Sequence, residues 1–160
     1  MPTVMYNGKC TGIKKFYAFD DKPRLPDERL YQKVEYNYMV AMKLKSLGFI
    51  VAQEFPLPEW GVIDIFAYKM VNSFGGKQYP EIIIAECKSE KDRNMMRALG
   101  QIITYRNQLV EYEYDINKAF IITRTEPCRQ RIKKDLSRLS DEITEFKLVR
   151  FSNKTPDLIL

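Results

Sequence analysis

Two stretches decide the fold: Gly61-Val62-Ile63-Asp64-Ile65-Phe66-Ala67-Tyr68 and Glu81-Ile82-Ile83-Ile84-Ala85-Glu86-Cys87-Lys88. Both are short runs rich in Ile and aromatic residues, which is the pattern of buried β-strands. Each run carries a carboxylate, Asp64 or Glu86, in apolar surroundings. Burying an unpaired carboxylate costs several kcal/mol, so these two need partners or a metal. Side chains alternate along a strand, so Glu86 and Lys88 share one face and Cys87 takes the other. If the strands are neighbours, two carboxylates and an ammonium meet at one spot. That set can hold a hard divalent cation beside a phosphodiester.

Outward from these strands, breakers and periodicity set the element order. Asp27, after the cluster Lys22-Pro23-Arg24-Leu25-Pro26, is read as the N-cap of a helix running to about Leu47 and stopped by Gly48. Leu30, Val34, Tyr38 and Ala41 would form its core face. Phe49 to Phe55 reads as a strand halted by Pro56 and Pro58, and Asn72-Ser73-Phe74-Gly75-Gly76-Lys77 as the turn that makes the next two strands part of an antiparallel meander. A second helix is predicted from Asp92 or Arg93 to Tyr112. Then follow a strand over Lys118 to Arg124, a basic helix from Pro127 to about Ser140, and a strand over Phe146 to Phe151. The order αβββαβαβ predicts an α/β domain of three layers, a mixed sheet flanked by helices. The whole chain, 1–160, is read as one domain with an irregular extension over 1–26 and a core over 27–151.

Composition bounds the function. A chain of 160 residues, 45% hydrophobic and 29% charged, has the balance of an ordinary globular domain. A net charge of +5 leans towards a polyanionic partner. Histidine is absent, which excludes Ser-His-Asp and Cys-His catalysis and histidine–zinc hydrolysis. Three scattered cysteines (Cys10, Cys87 and Cys128) suggest no disulfide framework and are too few for a four-cysteine iron–sulfur site. Without an apolar run of membrane length or a signal-peptide pattern, no membrane partner is expected and a cytoplasmic, intracellular placement is. The chain lacks a G-x-x-x-x-G-K-[ST] loop and so carries no ATP motor of that type.

The pattern Asp64…Glu86-Cys87-Lys88 resembles the PD-(D/E)xK nuclease superfamily, with its restriction-endonuclease-like fold. Ile63 stands where the proline that names the motif would be. Gln101-Ile102-Ile103-Thr104-Tyr105 resembles the Q-x-x-x-Y signature of the superfamily's RecB-like branch. The resemblance spans roughly Glu28 to Arg124. It implies a Mg²⁺-dependent DNA nuclease, with Mn²⁺ as a substitute, in which Asp64, Glu86 and the Cys87 carbonyl bind metal and Lys88 assists attack. It further implies that Gln101 and Tyr105 border the site and that the first helix supplies another acid, Glu35 or else Glu28. Arg97 and Arg124 are candidate phosphate contacts, and Arg93, Arg129, Arg131, Lys133, Lys134 and Arg138 add positive charge that could neutralise phosphates. A homodimeric Holliday-junction resolvase and a catalytically inactive DNA-binding module on the same fold are the alternative functions. A homodimer, or a helicase or recombination partner in trans, would fit these uses. Plainer roles stand beside each residue: Lys88 as a solvated strand end, Gln101 and Tyr105 as one face of an amphipathic helix, and the basic residues after Pro127 as a solvated surface. Trp60, just before the Asp64 strand, is a candidate substrate contact, with a loop aromatic packed on the domain as its plainer role.

Overall fold

The computed structural model describes residues 25–33, 35–88, 92–124 and 130–152. Its elements are α1 (Glu35–Ser46), β1 (Ile50–Leu57), β2 (Gly61–Asn72), β3 (Gln78–Lys88), α2 (Asp92–Glu111), β4 (Lys118–Thr123), α3 (Gln130–Arg138) and β5 (Glu145–Arg150). The five strands form one mixed sheet in the order β1-β2-β3-β4-β5. β1, β2 and β3 are an antiparallel meander, while β4 and β5 join parallel to β3 and to each other. This is the αβββαβαβ order and flanked sheet predicted from the sequence.

Two apolar clusters make the three layers. On one face, Met95, Ala98, Ile102, Tyr105 and Leu109 of α2 recur at helical spacing and pack on Ile63, Phe66, Ile82 and Ile84, joined by Ile132 and Leu136 of α3. On the other face, Val40, Ala41 and Leu44 of α1 cover Val51, Ile65, Ala67 and Ile83. β3 contributes to both faces by strict alternation, which explains its near-continuous Ile run.

The first helix starts later than expected. Residues 25–33 are extended up to a turn at Gln32 and Lys33, with a parallel bridge from Arg29 to Ala52. Arg29 N donates to the Val51 carbonyl at 2.9 Å, and Gln53 N donates to the Arg29 carbonyl at 2.8 Å. The buried Gln53 side chain completes the docking: its Oε1 accepts from Tyr31 N at 2.8 Å and its Nε2 donates to the Tyr31 carbonyl at 3.3 Å. The outer edge of β1 thus claims the backbone groups that a helix from Asp27 would need for itself. Ala41 packs on the α1 side as expected; Leu30 joins that cluster from the extended segment rather than from the helix, Tyr38 is half-buried and in neither cluster, and Val34 lies outside the described residues. Gly48 (φ +96°) ends the helix in a left-handed cap, its N–H bonded to the Lys45 carbonyl at 3.0 Å.

β1 also runs past the proline expected to stop it. Pro56 pairs with Val62 and Leu57 with Gly61. β1 lies at the edge of the ordered sheet, where a residue without an N–H is tolerated. Among the described residues, no helix is long and apolar enough to cross a membrane.

Candidate active site

The site is built where the β1–β2–β3 meander breaks its own alternation. Ala52 and Phe55 of β1 both face α2, as do Ile63 and Phe66 of β2. In each strand two like-facing residues stand three apart, so one residue in each breaks the period of two. Those residues are Glu54 and Asp64, which fall opposite each other between the pairs Gln53↔Ile65 and Phe55↔Ile63. Glu54 has φ +52°, a left-handed conformation rare for a side chain of its size and costing on the order of 1–2 kcal/mol. Because both strands slip together, the ladder keeps its register on either side. Asp64 in turn falls opposite Glu86, one step beyond the pair Ile65↔Ala85.

Asp64 and Glu86 interlock through backbone groups. Cys87 N donates to Asp64 Oδ2 at 2.9 Å, and Asp64 N donates to Glu86 Oε1 at 3.2 Å. Lys88 Nζ stands 3.6 Å from Glu86 Oε2. Glu86 is 1% exposed while Lys88 is 22% exposed, so the ammonium reaches the pair from the solvent side. Burial, followed by the charge of Asp64, pushes the Glu86 carboxyl up to about 8. Burial likewise raises Asp64, against the opposing pull of the Cys87 N–H and Lys88. Two carboxylates so placed repel each other when both are ionised, and a cation between them would relieve that.

Gln101 and Tyr105 lie beside this pair. The Tyr105 hydroxyl is hydrogen-bonded by the Gln101 side chain and the Val62 backbone; burial raises its pKa, and Glu86 and Asp64 add to the shift. Gln101 Oε1 is buried with no hydrogen-bond partner among the described residues. Tyr105 also fixes the β1–β2 turn. Gly61 has φ +129°, and a Cβ there would come within 2.8 Å of the Tyr105 hydroxyl oxygen.

The other expected residues are more dispersed. Cys87 packs its partly buried side chain on the α1-side cluster, opposite Glu86, as strand alternation requires. Glu35 is exposed in the first turn of α1. That turn lies towards the Lys88 end of the sheet: Tyr36 donates its hydroxyl to the Phe151 carbonyl at 2.7 Å, and Arg124, which follows the Lys88↔Thr123 pair, lies 4.7 Å over the Tyr36 ring. Glu28 is instead ion-paired with Lys45 at 3.1 Å, beside the last turn of α1. At ~1.5 Å per residue the helix separates that end from Glu35 by roughly 15 Å. Arg97 is exposed on α2. On α3, Arg131 and Arg138 both lie near Asp135, at 3.7 and 3.8 Å, and Lys133 and Lys134 are exposed. Pro127, Arg129 and the side chain of Arg93 lie outside the described residues.

Sequence reading missed Glu54, whose charge acts on Asp64. Its place opposite Asp64 follows from the pair Leu57↔Gly61, which lies beyond the proline read as the end of that strand. Trp60 is half-exposed at the turn, at 49%.

Among the described residues, no group of three or more Asp, Glu, Cys or His side chains is arranged to hold a metal ion; the carboxylate centre is a pair. Two carboxylates remain a sufficient protein contribution for Mg²⁺, which keeps several waters and is commonly held by one or two carboxylates plus substrate phosphate. The buried Glu86 and half-buried Asp64 carboxyls, which repel each other when both are ionised, fit such an ion.

No protein-family model and no curated protein sequence matches the chain. Among solved structures it is similar to a repair endonuclease from Pyrococcus abyssi, with a TM-score of 0.45 and 16% identity. That likeness covers 79% of this chain and 50% of the other, so the chain spans about half the length of that protein.

Proposed function

We propose that the chain is a metal-dependent DNA nuclease of the PD-(D/E)xK kind, in its RecB-like branch, hydrolysing phosphodiester bonds. The observation that carries this reading is the interlocked Asp64–Glu86 pair with Lys88 at 3.6 Å. Asp64 and Glu86 would hold a Mg²⁺ ion, with the Cys87 carbonyl as a further oxygen. When bound, the ion supplies Lewis-acid activation of water and charge screening at the phosphate.

The remaining work falls to side chains already in place. The backbone bonds from Cys87 and Asp64 fix the carboxylates before substrate arrives, so little reorganisation is left for the reaction. Lys88 brings a positive charge to the scissile phosphate and stabilises charge that develops during attack. Gln101 and Tyr105 close the α2 side of the site, and Gln101 Oε1 is an acceptor free to orient water or substrate. With no histidine in the chain, proton transfers run through water, carboxylate and lysine.

A Mn²⁺ titration followed by electron paramagnetic resonance tests the metal assignment without any substrate. Wild type should take up Mn²⁺ at this site, and Glu86→Gln should lose most of that affinity while remaining folded by circular dichroism. Equal Mn²⁺ uptake by both chains would rule the assignment out.

A further inference from the structure

We infer that Trp60 is a base-stacking residue, and that the substrate is DNA with unpaired bases next to the cleaved bond: a single strand, a flap or a frayed end. The inference rests on the nuclease reading and narrows it. Trp60 is the sole tryptophan of the chain and is 49% exposed at the tip of the β1–β2 turn. Its neighbours there are apolar and open as well. Val62 is 48% exposed, and Pro56, its partner across the ladder, is also exposed. Gly61 and Ile63 face α2, so Val62 and Pro56 lie on the opposite face, where α1 covers the sheet only from Val51 and Ile65 onward.

Backbone contacts tie this apolar tip to the site. Trp60 N donates to the Leu57 carbonyl at 3.2 Å, Glu59 and Gly61 both hold positive φ, and the Tyr105 hydroxyl bonds the Val62 backbone. Asp64 follows Trp60 by four residues on the same strand, about 13 Å at ~3.3 Å per residue. A half-exposed indole four strand residues from a phosphodiester site offers a face on which a nucleobase can stack. Stacking accepts any base, but only a base that has left its duplex neighbours. An intact duplex offers Trp60 no such face away from its ends.

The single tryptophan is its own probe. Wild type in Ca²⁺ is titrated with a twenty-residue oligothymidylate and, separately, with covalently closed circular duplex, following tryptophan emission. Binding is measured in parallel by fluorescence anisotropy of labelled oligothymidylate and by competition with the circle. Emission should be quenched as oligothymidylate saturates the protein, and far less by the circle. Trp60→Ala should bind oligothymidylate about tenfold more weakly and the circle unchanged, with Trp60→Phe close to wild type. Binding of oligothymidylate without any change in emission would overturn the inference. So would a Trp60→Ala variant that binds both DNAs as wild type does, or loses both equally. An emission change on concentrating the protein without DNA would assign the tip to a second copy of the chain instead. Failure to bind either DNA would overturn the nuclease reading itself.

Discussion

Asp64 and Glu86 each depend on the other's strand: the Asp64 carboxylate accepts the N–H of Cys87, and the Glu86 carboxylate accepts the N–H of Asp64. The reciprocal bonds lock a buried carboxyl, Glu86, beside a half-buried one, Asp64, at the point where β2 loses its alternation. A structure seldom keeps such a pair for stability alone, because the desolvation of two adjoining carboxyls can exceed what one ammonium at the rim returns.

That cost predicts a pH dependence of stability. Glu86 ionises at about 8 in the folded chain against 4.5 ordinarily, so the folded chain retains a proton that the unfolded chain has released. Stability is therefore lost as pH rises from about 4.5 towards 8, the sign opposite to that of a salt-bridged carboxylate. Differential scanning calorimetry of the metal-free protein should show Tm falling across this window. Glu86→Gln should flatten the fall and raise Tm at pH 8.

Divalent cation should reverse the loss. Binding needs both carboxylates ionised, so Mg²⁺ affinity should rise with pH up to about 8 and its uptake at pH 7 should release protons. At a hundredfold excess over Kd, ligand binding stabilises by about 2.7 kcal/mol, on the order of 5–10 °C in Tm for a chain of this size. Calorimetry in two buffers of different ionisation enthalpy would count the protons. Mg²⁺ uptake without proton release would contradict the account.

Lys88 is assigned to charge developing in the reaction rather than to holding substrate. Lys88→Met should lower the rate of DNA cleavage by about 10²–10³, the usual loss when one such stabilising group is removed. DNA affinity, measured by anisotropy in Ca²⁺, should change by little more than the loss of one positive contact.

The contact of Gly61 with Tyr105 sets the turn over the site. Gly61→Ala combines a strained φ of +129° with the 2.8 Å approach to the Tyr105 hydroxyl oxygen, while the ring carbons stay 3.5 Å or more away. The substitution should cost about 1–3 kcal/mol in urea denaturation. Because the hydroxyl is the close atom, the same change in a Tyr105→Phe background should cost less, by roughly 1 kcal/mol in a double-mutant cycle. Strict additivity would show that the contact does not govern the turn.

The sheet was legible because its strands announce themselves in composition and its turns in glycine and proline. The Ile run of β3 and the Asn72–Lys77 turn already implied the antiparallel pairing. That pairing alone brings Asp64 opposite Glu86 and leaves Lys88 on the Glu86 face. What the sequence hid was tertiary in origin. Nothing local marks residues 27–31 as extended; they are so because Gln53, distant in sequence, supplies an amide to the Tyr31 backbone. The paired break at Glu54 and Asp64 is equally silent, since a left-handed glutamate carries no compositional signature. Proline seemed to close β1 because its tolerance depends on lying at a sheet edge, which strand order decides.

Cleavage of labelled linear, circular, single-stranded and four-way-junction DNA, with Mg²⁺ or with EDTA, by wild type and by Glu86→Gln tests the central claim most directly. The account expects wild type to cut with Mg²⁺ and not with EDTA, and Glu86→Gln to bind DNA without cutting it. Absence of cutting by folded wild type that binds DNA, or equal cutting by the variant, would contradict it.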